Sequence, residues 1–432
     1  MAAGYDAVSA PAAAAEPGQW VSSGEVGGAC NVKDYGAAGN GVADDAGPIQ
    51  AAINAAQTSG QTLFFPAGTY KVLTTLNVTQ GIKMVGESYR KTIIQSATVD
   101  VLKISHYGHT LSNLHLRAQA GGGHAVLVPP GHALSQSQFV MCQLTSQNSA
   151  KSAFYYSSVG ATGGGVFDVH WLDCYFLHTT TSTVPCFSVY GDNNIFSANR
   201  FTRCRAQQGG SAPAFSVVAD VAGIYNYNNV WDTINFESTN GGGIHLSSAF
   251  STGLHNLGFF DMGKITADLV WCGRTSGSPA RPQSRNTTIV NYHRSGGALT
   301  AGIADVRFAS GGNAGSSLIT GIGGPSGAGV TVDLGLKAGY AVVVGYDPNN
   351  VAILNATTST VLLAGQTGVT TGRVTFTPRK GATRPFDSSG SGTPERLVTA
   401  PVGSTWRRSD GGPGTCFYVK ESGSGNSGWV AK

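Results

Sequence analysis

Repetition at a distance is the feature that most narrows what this chain can fold into. Phe139-Val140-Met141-Cys142, Trp171-Leu172-Asp173-Cys174 and Phe201-Thr202-Arg203-Cys204 each set an aromatic residue three positions before a cysteine. A second column, with looser spacing, runs through HAVLV (124–128), SAFYY (152–156), PCFSV (185–189), PAFSV (213–217), GIHLS (243–247) and ADLVW (267–271). Such recurrence marks a solenoid, in which each coil packs only on its neighbours. Like residues then stack at about 4.8 Å per rung, and the cysteines become shielded packing groups.

A third series carries a six-residue offset. Ile195 precedes Phe201, Val230 precedes Phe236 and Leu254 precedes Phe260, with Phe-to-Phe separations of 35 and 24 residues that suit one three-sided coil with variable turns. Used as a ruler, the offset predicts Ile195, Val230 and Leu254 in one vertical stack. It sets Thr202, Glu237 and Asp261 together on the outer surface, just after the inward aromatic. The position of Asp173 depends on frame: counting from Val166 puts Leu172 inside, and matching the cysteines puts Trp171 there.

Composition agrees with an all-β solenoid. Glycine contributes 61 of 432 residues and charged residues only 12%, which excludes a helical bundle, a coiled coil or a charged disordered tail. A net charge of +4 without basic blocks gives no reason to expect nucleic acid. The seven cysteines contain no C-x-x-C pair, so buried free thiols are expected rather than a zinc site or disulfide framework, and no metal or cofactor is expected. The N-terminus lacks the pattern of a secretion signal, and no apolar run is long enough to predict membrane insertion.

Residues 1–30 read as a flexible Ala/Gly/Pro-rich lead. From Asn31 the texture changes. A short strand leads to Asp44-Asp45, expected to cap a helix near Pro48–Ala56 whose apolar Ile49, Ala52, Ile53 and Ala56 share one face. The strand and turn Thr62–Tyr70 follow. Residues 31–296 are assigned to the solenoid, 297–393 to a separate C-terminal β domain that includes the runs 338–346 and 372–378, and 394–432 to a terminal module. In that module G-x-G-x-x-G at 423–428 ends without the helix that would receive a phosphate.

The segments NVKDYGAAGNGVADDAGPIQAAINAA and LFFPAGTY resemble the N-terminal cap of the pectate-lyase-like right-handed parallel β-helix superfamily, which includes many bacteriophage tailspikes. Ala46 and Gly47-Pro48 depart from the pattern. Residues 402–432 resemble a short module at the C-termini of phage tail and tailspike proteins. The resemblance implies a homotrimer in a virion tail that binds, and by glycosidic hydrolysis depolymerises, a bacterial surface polysaccharide. It also implies contact with other tail or baseplate proteins through the N-terminal side.

Chemistry on such a fold needs side chains that project outward from neighbouring rungs. Glu237 and Asp261 are the leading catalytic pair, since facing carboxylates divide into an acid and a base. Asp232 or Asp173 could supply the second group, and Asp168, Asp192 and Asp220 read as turn formers. Tyr225, Tyr227 and Trp231 make an aromatic strip for sugar faces. Arg203, in a basic run with Arg200 and Arg205, could hold an acidic glycan. A lyase would use His170, His178 or Tyr175 near Arg203 as base. A spike that binds without cutting shares every one of these features except the chemistry.

Overall fold

The computed structural model describes residues 28–161, 163–178, 182–191, 195–218, 225–247, 251–260, 262–273, 286–308, 317–324, 329–334, 341–346, 351–354, 360–364 and 387–432. Asp192, Asp220, Asp261 and the run 372–378 therefore lie outside the described residues.

The cap forms as its residues dictate. The helix Ala46–Ser59 buries Ile49, Ala52, Ile53 and Ala56 against the first coil. Asp45 makes no side-chain cap, contrary to expectation. Its carboxylate instead accepts the amides of Ala38 (2.5 Å) and Gly39 (3.0 Å), tying the preceding loop to the helix start. Asp44 takes the Ala46 amide at 3.1 Å and the Leu73 amide at 3.0 Å.

Beyond the cap, strands pair in parallel with strands one coil away, forming two long sheets. The larger sheet bends at two corners, and each corner is one column of left-handed residues. Gly108, Gln136, Asp168, Ala198, Asn228, Ser251 and Asn286 form the first, with φ between 46° and 79°. Asn113, Met141, Asp173, Arg203, Thr233, Asn256, Asn291 and Gly321 form the second, with φ between 51° and 65°. Left-handed φ costs a non-glycine residue roughly 1 kcal/mol, so the columns persist because each rung holds the next in place.

Inside the corners runs a polar ladder. Just after the first corner, Asn199 and Asn229 are fully buried. The Asn199 backbone amide donates to Asn229 Oδ1 at 2.9 Å, and the two side-chain amides donate to the carbonyls of Val166 and Phe196, each at 2.9 Å. These bonds serve backbone groups that the corner turns away from the sheets.

The apolar columns explain the recurrences. Phe139 pairs with Trp171 and Trp171 with Phe201, so the cysteine frame is the correct one and Leu172 faces outward. Phe139, Trp171, Phe201 and Trp231 stack with ring centroids 4.1, 5.8 and 5.2 Å apart; stacked pairs contribute about 0.5–1.5 kcal/mol each beyond burial. Beside them Cys142, Cys174 and Cys204 each direct Sγ to a carbonyl one rung below. Burial drives the Cys174 thiol far above its ordinary range. Phe154 lies over Phe187 at 4.4 Å on the second sheet, whose inward column runs Val126, Phe154, Phe187, Phe215, Ile244, Val270 and Val306.

Six cysteines are buried and Cys416 is exposed, which corrects the expectation that all seven are shielded. Titration with an aromatic disulfide should therefore find one reactive thiol in the native protein and seven in denaturant. A second rapidly reacting thiol would contradict the packing of the columns.

The coil does not stop at 296. The strands Ser317–Gly323, Ala341–Tyr346 and Thr360–Ala364 continue the first sheet, and Val306–Phe308, Val330–Asp333 and Val351–Leu354 the second. The pattern fades in sequence because side chains shrink to Val, Thr and Gly while the ladder persists. Residues 387–432 form a four-stranded sheet around their own small core of Ala400, Trp406, Tyr418 and Trp429.

Some glycines are demanded by the closeness of successive coils. A Cβ on Gly210 would sit 1.7 Å from the Ser182 carbonyl oxygen. Gly210→Ala must displace backbone and should cost about 1–3 kcal/mol, read as a lower urea midpoint; an unchanged midpoint would refute the close approach.

Candidate functional site

Register decides which outward residues meet, and it differs from the six-residue ruler. Ile195 pairs with Tyr225, Val230 with Arg200 and Gly253, and Leu254 with Trp231, so Ile195, Val230 and Leu254 do not share a column. Phe201 belongs to the column before the second corner and Phe236 to the column after it, where Phe236 stacks on Phe259 at 4.5 Å. Phe260 consequently faces outward, and it is Phe260 that stands next to Glu237. The ladder neighbour of Glu237 is thus Phe260 rather than the residue the ruler assigned, and Asp261 itself lies outside the described residues.

Two outward strips flank the second corner. Before it, one column carries His170, Arg200, Val230 and Gly253, and the next Leu172, Thr202, Asp232 and His255. Asp173 and Arg203 occupy the corner itself. Arg203 clamps Asp173 through two hydrogen bonds of 2.9 and 2.8 Å in an exposed, bidentate pair. Such exposed pairs add little to stability, so this one chiefly fixes geometry.

Asp232 is held differently. Its Oδ1 accepts from Asn256 Nδ2 at 2.7 Å and from the Thr233 hydroxyl at 3.2 Å. Asn291 continues the chain by donating to Asn256 Oδ1 at 2.9 Å. Among the described residues Asp232 Oδ2 has no hydrogen-bond partner. His255, its ladder neighbour, bonds the Thr288 hydroxyl at 2.9 Å, and His170 is exposed two rungs from Val230.

After the corner, Tyr175, Arg205 and Asn235 form one column and Leu177, Gln207, Glu237 and Phe260 the next. Arg205 pairs with Glu237 and lies over the Tyr175 ring, 4.9 Å from its centroid. The Tyr175 hydroxyl donates to Gln207 Oε1 at 2.5 Å. Burial raises its pKa, Arg205 opposing and Glu237 reinforcing the shift, which makes it a poor base at neutral pH.

The aromatic strip is not assembled as expected. Trp231 is wholly buried in the ring stack, because the residue between two outward positions of a strand points inward. Tyr225 and Tyr227 belong to the strand before the first corner at Asn228 and are not on Asp232's face. His178 is also interior, bonded to the Lys151 carbonyl at 2.7 Å. Sequence reasoning missed Phe260, although Gly258, two positions earlier on the same strand face, was a readable sign of a flat outer surface. Among the described residues no cluster of three or more His, Cys, Asp or Glu could hold a metal, and no helix is long and apolar enough to cross a membrane.

Residues 29–109 match the family described as Rhamnogalacturonase A/epimerase, pectate lyase-like. Mannuronan C5-epimerase AlgE4 of Azotobacter vinelandii is 38% identical over 100 residues, 20% of this chain and 18% of the epimerase. A glucan 1,3-beta-glucosidase of Cochliobolus carbonum is 46% identical over 59 residues, 14% of this chain and 8% of that enzyme. Among solved structures, ORF18 of Geobacillus virus E2 shares the fold with a TM-score of 0.50 at 16% identity, covering 78% of this chain and 60% of that one. Stacked parallel sheets define a right-handed parallel β-helix, and its N-terminal segment, residues 29–109, is the part that matches the pectate-lyase-like family. The chain spans less than a fifth of the length of these two curated relatives.

Proposed function

We propose that this chain is a phage tailspike that binds and depolymerises a bacterial surface polysaccharide, such as a capsule, an exopolysaccharide or the O-antigen of lipopolysaccharide. In this reading it works as a homotrimer in the virion tail, joined to other tail or baseplate proteins on its N-terminal side. Polysaccharide enzymes among the relatives of its N-terminal segment support the substrate class, and the viral fold neighbour and the terminal module support the setting.

The observation that carries the enzymatic reading is Asp232: an outward carboxylate anchored through one oxygen, with the other open, on a strip with Thr202, His255 and His170. Asp173 lies two rungs below, roughly 10 Å away between Cα atoms. Inverting hydrolysis works with carboxyls roughly 6.5–9.5 Å apart, which leaves room for a water, and retaining hydrolysis with roughly 5 Å; the inverting arrangement is the one proposed, because a whole rung, that of Arg203, lies between the two acids. One acid would protonate the leaving oxygen while the other activates the water, with Arg203 fixing Asp173 in place. Glu237 is a weaker candidate, since Arg205 occupies it and it is five residues along the strand from Asp232, past the corner.

Asp232→Asn should lower reducing-end release from purified host polysaccharide at least 100-fold with circular dichroism unchanged, the loss expected for a positioned acid or base. Undiminished release would remove Asp232 from the reaction. A binding-only spike is the second reading, favoured by the arginines that already neutralise Asp173 and Glu237. It predicts retention of the polymer on the protein with no change in chain length.

A further inference from the structure

Past the second corner, Phe260 is one of the exposed large apolar side chains of the described coils, with 36% of its surface accessible. Its ring lies over Gly258: a Cβ built on that glycine would come within 2.5 Å of Phe260 Cε2 and 2.8 Å of Cζ. Gly258 itself is buried. The missing side chain lets the ring press against the strand, leaving its other side to solvent. Asn235 and His293 are the ladder neighbours of Gly258, and the Asn235 side-chain oxygen would lie 3.4 Å from the same added Cβ. The His293 ring centroid is 6.5 Å from that of Phe260. Glu237 precedes Phe260 in its column, with Arg205 beyond it.

We propose that Phe260, seated on Gly258, is a stacking platform for one pyranose unit, with Asn235, Glu237 and His293 placed to bond its hydroxyls. An aromatic face takes up the C–H face of a sugar, and polar groups at its rim fix the orientation. The Arg205–Glu237 pair compensates its own charge, so the platform selects an apolar ring face rather than an anionic group. All-equatorial glucose, with axial C–H bonds on both faces, is the chemistry that fits. The platform deepens the polysaccharide reading and rests on it, but lies across the corner from Asp232.

The test uses the full chain and cellohexaose at millimolar concentration, followed by saturation-transfer difference NMR. Saturation should reach the axial ring protons. It should fall at least tenfold in Phe260→Ala and in Gly258→Ala, which displaces the ring without removing it, and persist in Phe260→Trp. No saturation in the parent protein, or equal saturation in Phe260→Ala with unchanged circular dichroism, overturns the platform. Asp232→Asn separates the two proposals: cleavage lost with saturation retained supports both, whereas saturation lost in Phe260→Ala with cleavage intact in Asp232→Asn retains the platform and removes the reacting acid.

Discussion

Arg294→Met is expected to lower stability by about 3–5 kcal/mol, the cost of stripping the partner from a buried charge. Arg294 and Asp305 are 1% and 0% accessible and lie inside the coil. Arg294 follows Phe259 in an inward column, and Asp305 follows Leu269 in the column just before that of Val270 and Val306. Arg294 Nε donates to Asp305 Oδ1 at 2.6 Å, Nη1 to the carbonyls of Gly296 (2.9 Å) and Gly297 (2.6 Å), and Nη2 to that of Gly329 at 3.1 Å. Tyr292 donates its hydroxyl to the same Asp305 oxygen at 2.7 Å, and the Thr331 amide donates to the other at 2.8 Å. Methionine would leave the carboxylate with two donors and three carbonyls with none of theirs. Urea unfolding would show the loss, and hydrogen exchange would place it in strands Thr288–Arg294 and Val306–Phe308. Adding Asp305→Leu, which extends the Leu269 column, should restore only the share that comes from the uncompensated carboxylate, because the three carbonyls, the Tyr292 hydroxyl and the Thr331 amide stay without these partners. A single-variant loss below about 1 kcal/mol would show that the pair is not dry.

The cap and the cysteine columns could be read from sequence because each depends on local pattern. An amphipathic helix and an aromatic three positions before a cysteine keep their meaning wherever the coil turns. Register could not be read by one fixed offset, and the corners are the reason. Within a strand, inward and outward positions alternate, but the left-handed residue resets that alternation. Phe201 and Phe236 therefore occupy columns on opposite sides of the corner although each follows an apolar residue by six. Nothing in composition marks the corner: Met141, Arg203 and Thr233 hold it as readily as Asn113, Asn256 and Asn291.

The same displacement governs how much of the site was legible. Asp173, Arg203 and Asp232 were identifiable as residue types, and their grouping at one corner needed only the cysteine frame. The Glu237–Asp261 pair needed Phe260 inside, and Phe259 takes that place. Trp231 looked available for sugar beside Asp232, yet immediate succession along a strand sends the two to opposite faces. Arg294 and Asp305 carried no sequence signal, since an ion pair inside an apolar solenoid reveals itself only by burial.

Acid should weaken the coil steeply between about pH 6.5 and pH 4. His109, His115 and His124 have accessibilities of 1%, 8% and 7%, and desolvation lowers the pKa of each to about 4. His106 adds to the shift at His109 and Arg117 to that at His115, while at His124 the nearby Asp100 opposes it and Lys151 and His178 reinforce it. The unfolded chain binds these protons near pH 6.5 and the folded chain only near pH 4, so the stability present above pH 6.5 falls as pH drops and levels below 4. By pH 5 each histidine should have removed about 2 kcal/mol, and three acting additively about 6 kcal/mol, a large part of the 5–15 kcal/mol that holds a typical protein. The slope midway should approach ~4 kcal/mol per pH unit for three protons. Urea midpoints at pH 7.5, 6.5, 5.5 and 4.5 measure it, and His115→Gln should flatten the slope by about one proton's share. Midpoints that stay level from 6.5 to 4.5 would mean that these histidines charge without unfolding and that water reaches the columns between the coils.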